Sequence, residues 1–394
     1  MKKISSAIFT IVFLVFINCK SDTRKAINSI QTPKFTSFDG LIDGFPSLNP
    51  NPKKSEVKNY FNSMAKTLNK AKDKFAKLIS EESVKTTEGK NTNTAKEDNS
   101  TVNPVDDEIS KINDMIGKMI NAANTIVETV AETATEAMGE VVEVKKSGNV
   151  ATKADVKSVV EIAKGIKKIV EAAGIADELK AEGDKATKSS IDSNNKEAGK
   201  MFSGKQGDPG GKVFDDDVPP GEIGGGANPE DIKKAAEAVK NASGEQILGA
   251  IIAAAKAIES GGEAPEGKNA DNATNPIEAA IGGDDNSDAT AFTGNMEKDT
   301  QIAAAIVLRG MAKDGKFAVK MGRKPSGDGD TIRALVKNAA NKTVDALSQL
   351  VLKAINESLT KIAKTIKAKG EAVNSAVNFN SPSVKFAEKH LENK

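Results

Sequence analysis

The sequence predicts a mainly α-helical, all-α class chain: an elongated bundle of helices carrying long polar loops, with short strands at most. Three observations predict it. Apolar residues recur every three to four positions over long stretches, as one buried face of a helix requires. Asn-Pro pairs and capping-box spacings stand where those stretches begin. Between them lie segments of Gly, Pro and Asp without periodicity, too polar to fold regularly. Aromatics are 4% of the 394 residues and Trp is absent. The core must therefore come from Ala, Val, Ile, Leu and Met.

Lys2 and Lys3 open the chain ahead of a largely apolar run, Ile4 to Ile17. That run is shorter than the ~20 residues a spanning helix needs, so residues 1–18 read as a signal peptide. Removing them takes away two lysines and no acid, which moves the formal net charge from +1 to −1. Neither value favours polyanions at whole-chain level. Cys19 follows at once and is the sole cysteine. A lone thiol excludes a disulfide framework and a cysteine-cluster metal site, leaving a core residue, a nucleophile or an attachment point. Its position resembles the lipobox of bacterial lipoproteins, although Phe16, Ile17 and Asn18 replace the usual Leu-small-small. The resemblance implies that Cys19 becomes the mature N-terminus and carries a covalent lipid. The alternative is an ordinary signal peptide with an incidental cysteine.

Residues 19–52 are polar and broken by Pro33, Pro46, Pro50 and Pro52, which reads as a lipidated tether. A single helical domain is expected over 53–369, with a polar tail at 370–394. Val57, Phe61, Met64, Leu68, Ala71, Phe75 and Leu78 step by four and three, a heptad seam that serves either an intramolecular bundle or a homodimer. Asn103-Pro104 with Asp106, Asp107 and Glu108 starts the next helix. Its stripe runs from Ile109 through Ile126, Val130, Ala134 and Ala137 to Val141 and Val144, and Gly148 ends it. Thr152 and Asp155 form a capping box for a third helix through Val156, Val159, Ala163, Ile166, Val170 and Ala173. Asn228-Pro229 and Asn275-Pro276 open further helices, and Ser243 with Gln246 boxes the run Ile247 to Ile258. A last long helix starts near Asp330 and passes Ile366. The interrupting loops are 204–229, 260–276 and 282–295.

Catalytic and metal chemistry finds little footing. The sole histidine, His390, is the fifth residue from the end of the chain, a poor place for a Ser or Cys nucleophile's base. No GxxxxGK[ST] occurs, since Val213 follows Lys212 in the Gly-rich segment. Counting an EF-hand from Asp284 puts Ala289 at the turn glycine and Asn295 at the bidentate glutamate, so no calcium site is expected. No pair of acids stands out for glycoside hydrolysis. No metal, cofactor or enzymatic activity is expected beyond the lipid.

Between Arg309 and Lys337 eight basic residues face three acids. Arg309, Lys313, Lys316, Lys320, Arg323 and Lys324 form a candidate patch for a polyanion such as a sulfated glycan. The bland reading is charged helix ends. Phe317 is the lone aromatic among them, against nucleic-acid binding. The same stretch, "MEKDTQIAAAIVLRGMAKDGKFAVK" (296–320), has an apolar run Ile302 to Leu308 with no polar face, which belongs inside a bundle. Asp314-Gly315 closes it, and Phe317, Val319 and Met321 alternate as an extended piece would.

Residues 296–320 resemble the invariable region of the variable large proteins of relapsing-fever Borrelia and of the related Vls surface lipoprotein of Lyme-disease spirochaetes. The Ala-rich "GEQILGAIIAAAKAIE" (244–259) and "TIRALVKNAANKTVDALSQLVLKAI" (331–355) fit as well. This resemblance implies an outer-surface lipoprotein, held in the outer membrane by lipid, whose expressed copy is exchanged by recombination under antibody selection. It implies a helical fold with variable loops at the end far from the membrane. The partners implied are the membrane and host antibodies. The alternative function is an adhesin using the basic patch on host glycosaminoglycan.

Overall fold

The structure, a computed structural model, describes residues 53–87, 104–130, 136–144, 153–179, 195–202, 226–261, 265–283, 289–320 and 325–379, with Phe45 and Leu48. It is mainly α-helical with two short strands among the described residues, as the sequence predicts. Two units divide the chain: residues 40–77 with 101–367, and residues 1–39 with 78–100 and 368–394. The former holds the elements below, except the C-terminal turns of the first and last helices.

Helix α1 (Lys54–Thr87) follows the heptad seam. Val57, Phe61, Met64, Leu68, Ala71 and Phe75 are each 2% exposed or less. Tyr60 lies beside the seam. Its hydroxyl donates to Val344 O at 2.9 Å and lies 2.7 Å from Ser348 Oγ. Helix α2 (Pro104–Val130) starts at its proline with Asp106 and Asp107 in the first turn, where the helix dipole favours acids.

The stripe expected to continue to Val144 does not. Gly139 takes a positive φ of 74°, and Glu140–Val144 forms strand β1. It pairs in parallel with β2 (Lys316–Lys320), Val141 opposite Phe317 and Val142 opposite Ala318. Ala137 bridges to Lys53 instead of lining a helix. Two physical causes override the helical spacing. β-Branched side chains favour extended backbone. Gly139 also reverses the chain where a Cβ would come within 3.0 Å of Arg333 Cα.

Helix α3 (Val156–Ala172) packs on α2. Its cap is Asp155 itself, which accepts from Ser158 N at 2.7 Å; Thr152 lies outside the described residues. With the start fixed there, Val159, Ala163, Ile166 and Val170 turn inward while Val156 is 38% exposed. After a short 3-10 helix (Asn195–Met201) comes α4 (Pro229–Asn241), opened by a capping box between Asn228 and Asp231. Helix α5 (Gly244–Gly261) carries the expected Ser243–Gln246 box. Helix α6 (Pro276–Ile281) is capped by Asn275.

Helix α7 (Asp299–Met311) is the centre: α3, α4, α5 and α6 all pack on it. Every residue from Ile302 to Met311 is buried. Helix α8 (Pro325–Phe379) starts at a proline, ahead of Asp330. Its Val336 meets α7 where Gly310 leaves no room for a Cβ. No described helix is long and apolar enough to cross a membrane.

Candidate functional site

Six residues were expected to share a basic surface, and of the four that are described the structure takes Arg309 out of it. Arg309 is fully buried. Lys316 is half-buried and lies 3.7 Å from Glu140 across the strand pair. Lys313 is half-buried, and its backbone is engaged: its N–H donates to Ser158 Oγ at 3.0 Å and its carbonyl accepts from Asp155 N at 2.9 Å. Lys320 is half-buried, and its amide donates to Ala227 O. Arg323, Lys324 and Cys19 lie outside the described residues.

What the structure builds instead is an interior node around Arg309. Its Nε donates to Lys316 O at 2.6 Å, and its Nη1 to Ala280 O at 3.0 Å and Ile281 O at 3.4 Å. One cation thereby ties the end of α7 to the first residue of β2 and to the last turn of α6. The guanidinium also lies over two rings, 5.5 Å from the Phe202 centroid and 5.9 Å from that of Phe317. Phe202 stacks edge-on with Phe317 at 5.7 Å and with Phe292 at 5.2 Å. Complete burial lowers the guanidinium to about 10, so it stays charged at neutral pH. Gly315 is required beside it, because a Cβ there would overlap Arg309 O. Asp314 takes the left-handed conformation, φ 57°, to make the turn.

The loop segments run out from this node on fixed anchors. Ala227 N donates to Ala318 O and Lys320 N to Ala227 O, each at 3.0 Å, so the end of 204–229 is sewn onto β2. Segments 260–276 and 282–295, read as polar throughout, hold buried Ala270, Ala273 and Phe292. Thr293 Oγ1 donates to Asp271 O at 2.6 Å, and Phe292 N to Lys196 O at 2.9 Å. Glu278 fastens the 265–275 segment: it accepts from Thr274 N and Thr274 Oγ1, both at 2.8 Å, and from Lys268 Nζ at 3.0 Å. Burial works against its charge. The Thr274 amide, Lys268 and the Thr274 hydroxyl outweigh that and hold the carboxyl below its ordinary value. Asp299 at the start of α7 accepts from Asn195 at 2.8 Å and Asn241 at 2.9 Å, joining α4 to the 3-10 helix.

Sequence reasoning found α7 and missed the node. Phe202 sits just ahead of the polar segment 204–229 and Phe292 inside 282–295, and an arginine in a lysine-rich stretch reads as surface. The available signal was an aromatic in or beside a polar segment, where a solvated loop has no use for one. Chemically the node offers no exposed nucleophile or acid pair. It positions backbone.

The sequence profile of a family described as Borrelia lipoprotein matches residues 33–366. The chain belongs to the Borrelia lipoprotein family. Within it, variable large protein 4 of Borrelia hermsii is 29% identical over 406 residues, covering 95% of this chain and 98% of that protein. Variable large protein 7 of the same organism is 32% identical over 148 residues, 37% of this chain and 38% of that protein. The crystal structure of the Lyme disease variable surface antigen VlsE of Borrelia burgdorferi is similar at 35% identity and a TM-score of 0.65. The match spans 88% of this chain and all of that one. Both the resemblance and the helical class expected from sequence therefore hold for this Borrelia lipoprotein family member.

Proposed function

We propose that this chain is a lipid-anchored protein of the outer surface whose helical frame presents exchangeable loops for antigenic variation, and that it evades host antibody in this way. The lipid is carried by Cys19. The observation that carries the reading is the division between α7 and the loop segments. Ile302 to Met311 are wholly buried, and the loop ends are pinned at a few fixed points, by backbone bonds at Ala227 on β2 and by side chains such as Glu278 and Thr293 elsewhere. Side chains between the anchors can then change at little cost to the frame, since surface substitutions usually move stability by less than ~0.5 kcal/mol. The names of the relatives, variable large proteins and a variable surface antigen, point the same way.

The test is to sequence the expressed gene from successive isolates of one infection. Changes should gather in 204–225, 260–266 and 283–291, with 296–320 unchanged. Changes spread evenly, Ile302 to Leu308 included, sink the proposal. Mass analysis of the protein from its native cells should show an acylated Cys19; a bare thiol overturns the anchor.

A further inference from the structure

We propose that the exposed lysine face of α1, with the lysines of α8 beside it, rests on the anionic headgroups of the membrane that holds the lipid anchor. From Lys66 to Lys77 the helix carries five lysines and one acid, Asp73. Lys66, Lys70, Lys72, Lys74 and Lys77 are all exposed. The heptad geometry explains why. With Phe61, Met64, Leu68, Ala71 and Phe75 buried, Lys66, Lys70 and Lys77 stand opposite the seam and Lys72 and Lys74 flank it. On α8, Lys361 and Lys364 are exposed. The two rows flank the same stretch of α2. Lys72 Nζ lies 3.7 Å from where a Gly117 Cβ would stand, and Ser358 Oγ lies 3.8 Å from Met115 Sδ.

The occupant follows from chain length and charge. The inference rests on the lipid at Cys19, and α1 is the first described helix after it. Residues 20–53 span at most roughly 120 Å whatever their conformation, so the anchor confines α1 to a shell over the bilayer and gives its lysines a high effective concentration there. A lipid chain and a polybasic surface are the two signals that together give stable membrane attachment. Acids do stand nearby on α2. Lys111 pairs with two of them, at 2.7 Å from Asp107 and 3.0 Å from Glu108, and offsets one of the two charges.

The experiment uses the mature chain from residue 19 with Cys19→Ser, so that no acyl group contributes, and reads sedimentation with vesicles. Binding is expected to phosphatidylcholine vesicles containing phosphatidylglycerol and not to phosphatidylcholine alone. It should disappear as salt rises from about 50 to about 500 mM. A Lys66→Glu/Lys70→Glu/Lys77→Glu variant with unchanged helical circular dichroism should bind at least about tenfold more weakly. Equal affinity for both vesicle types, no binding to either, or no effect of the triple variant overturns the proposal. So does tighter binding of heparin than of anionic vesicles through the same lysines, which would make a sulfated glycan the occupant. None of these outcomes bears on acylation of Cys19, which the mass of the native protein reads separately.

Discussion

Arg309 shows how one residue's environment reverses its reading. A buried charge is tolerated where hydrogen bonds replace its water, and here main-chain carbonyls and two ring faces supply them. Arg309→Lys keeps the charge but loses the planar fork that reaches Lys316 O and Ala280 O together. It should lower urea-unfolding stability by about 2–4 kcal/mol; a change under ~0.5 kcal/mol would mean the carbonyls do not depend on the fork. Glu278 gives a pH prediction. Its folded pKa lies below the ordinary value of 4.5, so its contribution is present above that value. It is lost as pH falls through the folded one. Glu278→Gln should therefore flatten the acid side of the stability profile, while the wild type keeps losing stability as pH drops below 4.5. Identical acid limbs for both proteins would count against the Thr274 and Lys268 bonds as the source.

At the scale of elements, helix crossings depend on glycines that admit a neighbour. Gly310 of α7 accepts Val336 of α8, and Gly165 of α3 accepts Ile126 of α2. Gly310→Ala should cost about 1–3 kcal/mol by overpacking. Adding Val336→Ala should recover part of that cost, a coupling measured by the double-mutant cycle; strictly additive losses would place the strain elsewhere. The helices themselves were legible because periodicity and caps are local: Asn228, Ser243 and Asn275 all cap as their spacing predicts. What was not legible is what distant chain decides. Val141 and Val144 suit a helical stripe, and their role is fixed by a strand some 175 residues later. The cap of α3 fell on Asp155 because its carboxylate reaches Ser158 N directly. The node was hidden for the same reason, since Phe202, Phe292 and Arg309 meet only after folding.

Across the whole molecule, the seam of α1 decides between two readings of one pattern. A heptad repeat buries its stripe against whatever helix is available, in the same chain or a second copy. In this chain Val57, Phe61, Met64, Leu68, Ala71 and Phe75 are already covered by the chain's own residues, and Tyr60 locks the same helix to α8 through Val344 O. No apolar stripe is left on that part of α1 for another molecule: the face opposite the seam carries Lys66, Asn69, Lys70, Asp73 and Lys77. Like-charged faces of this kind repel a second copy at low salt. The acyl-free mature chain should therefore scatter light as a single chain, with no concentration dependence at tens of micromolar. Were it to scatter as a dimer that Leu68→Lys dissociates without loss of helix, the seam would be shared between molecules and the single-chain packing of α1 would be wrong.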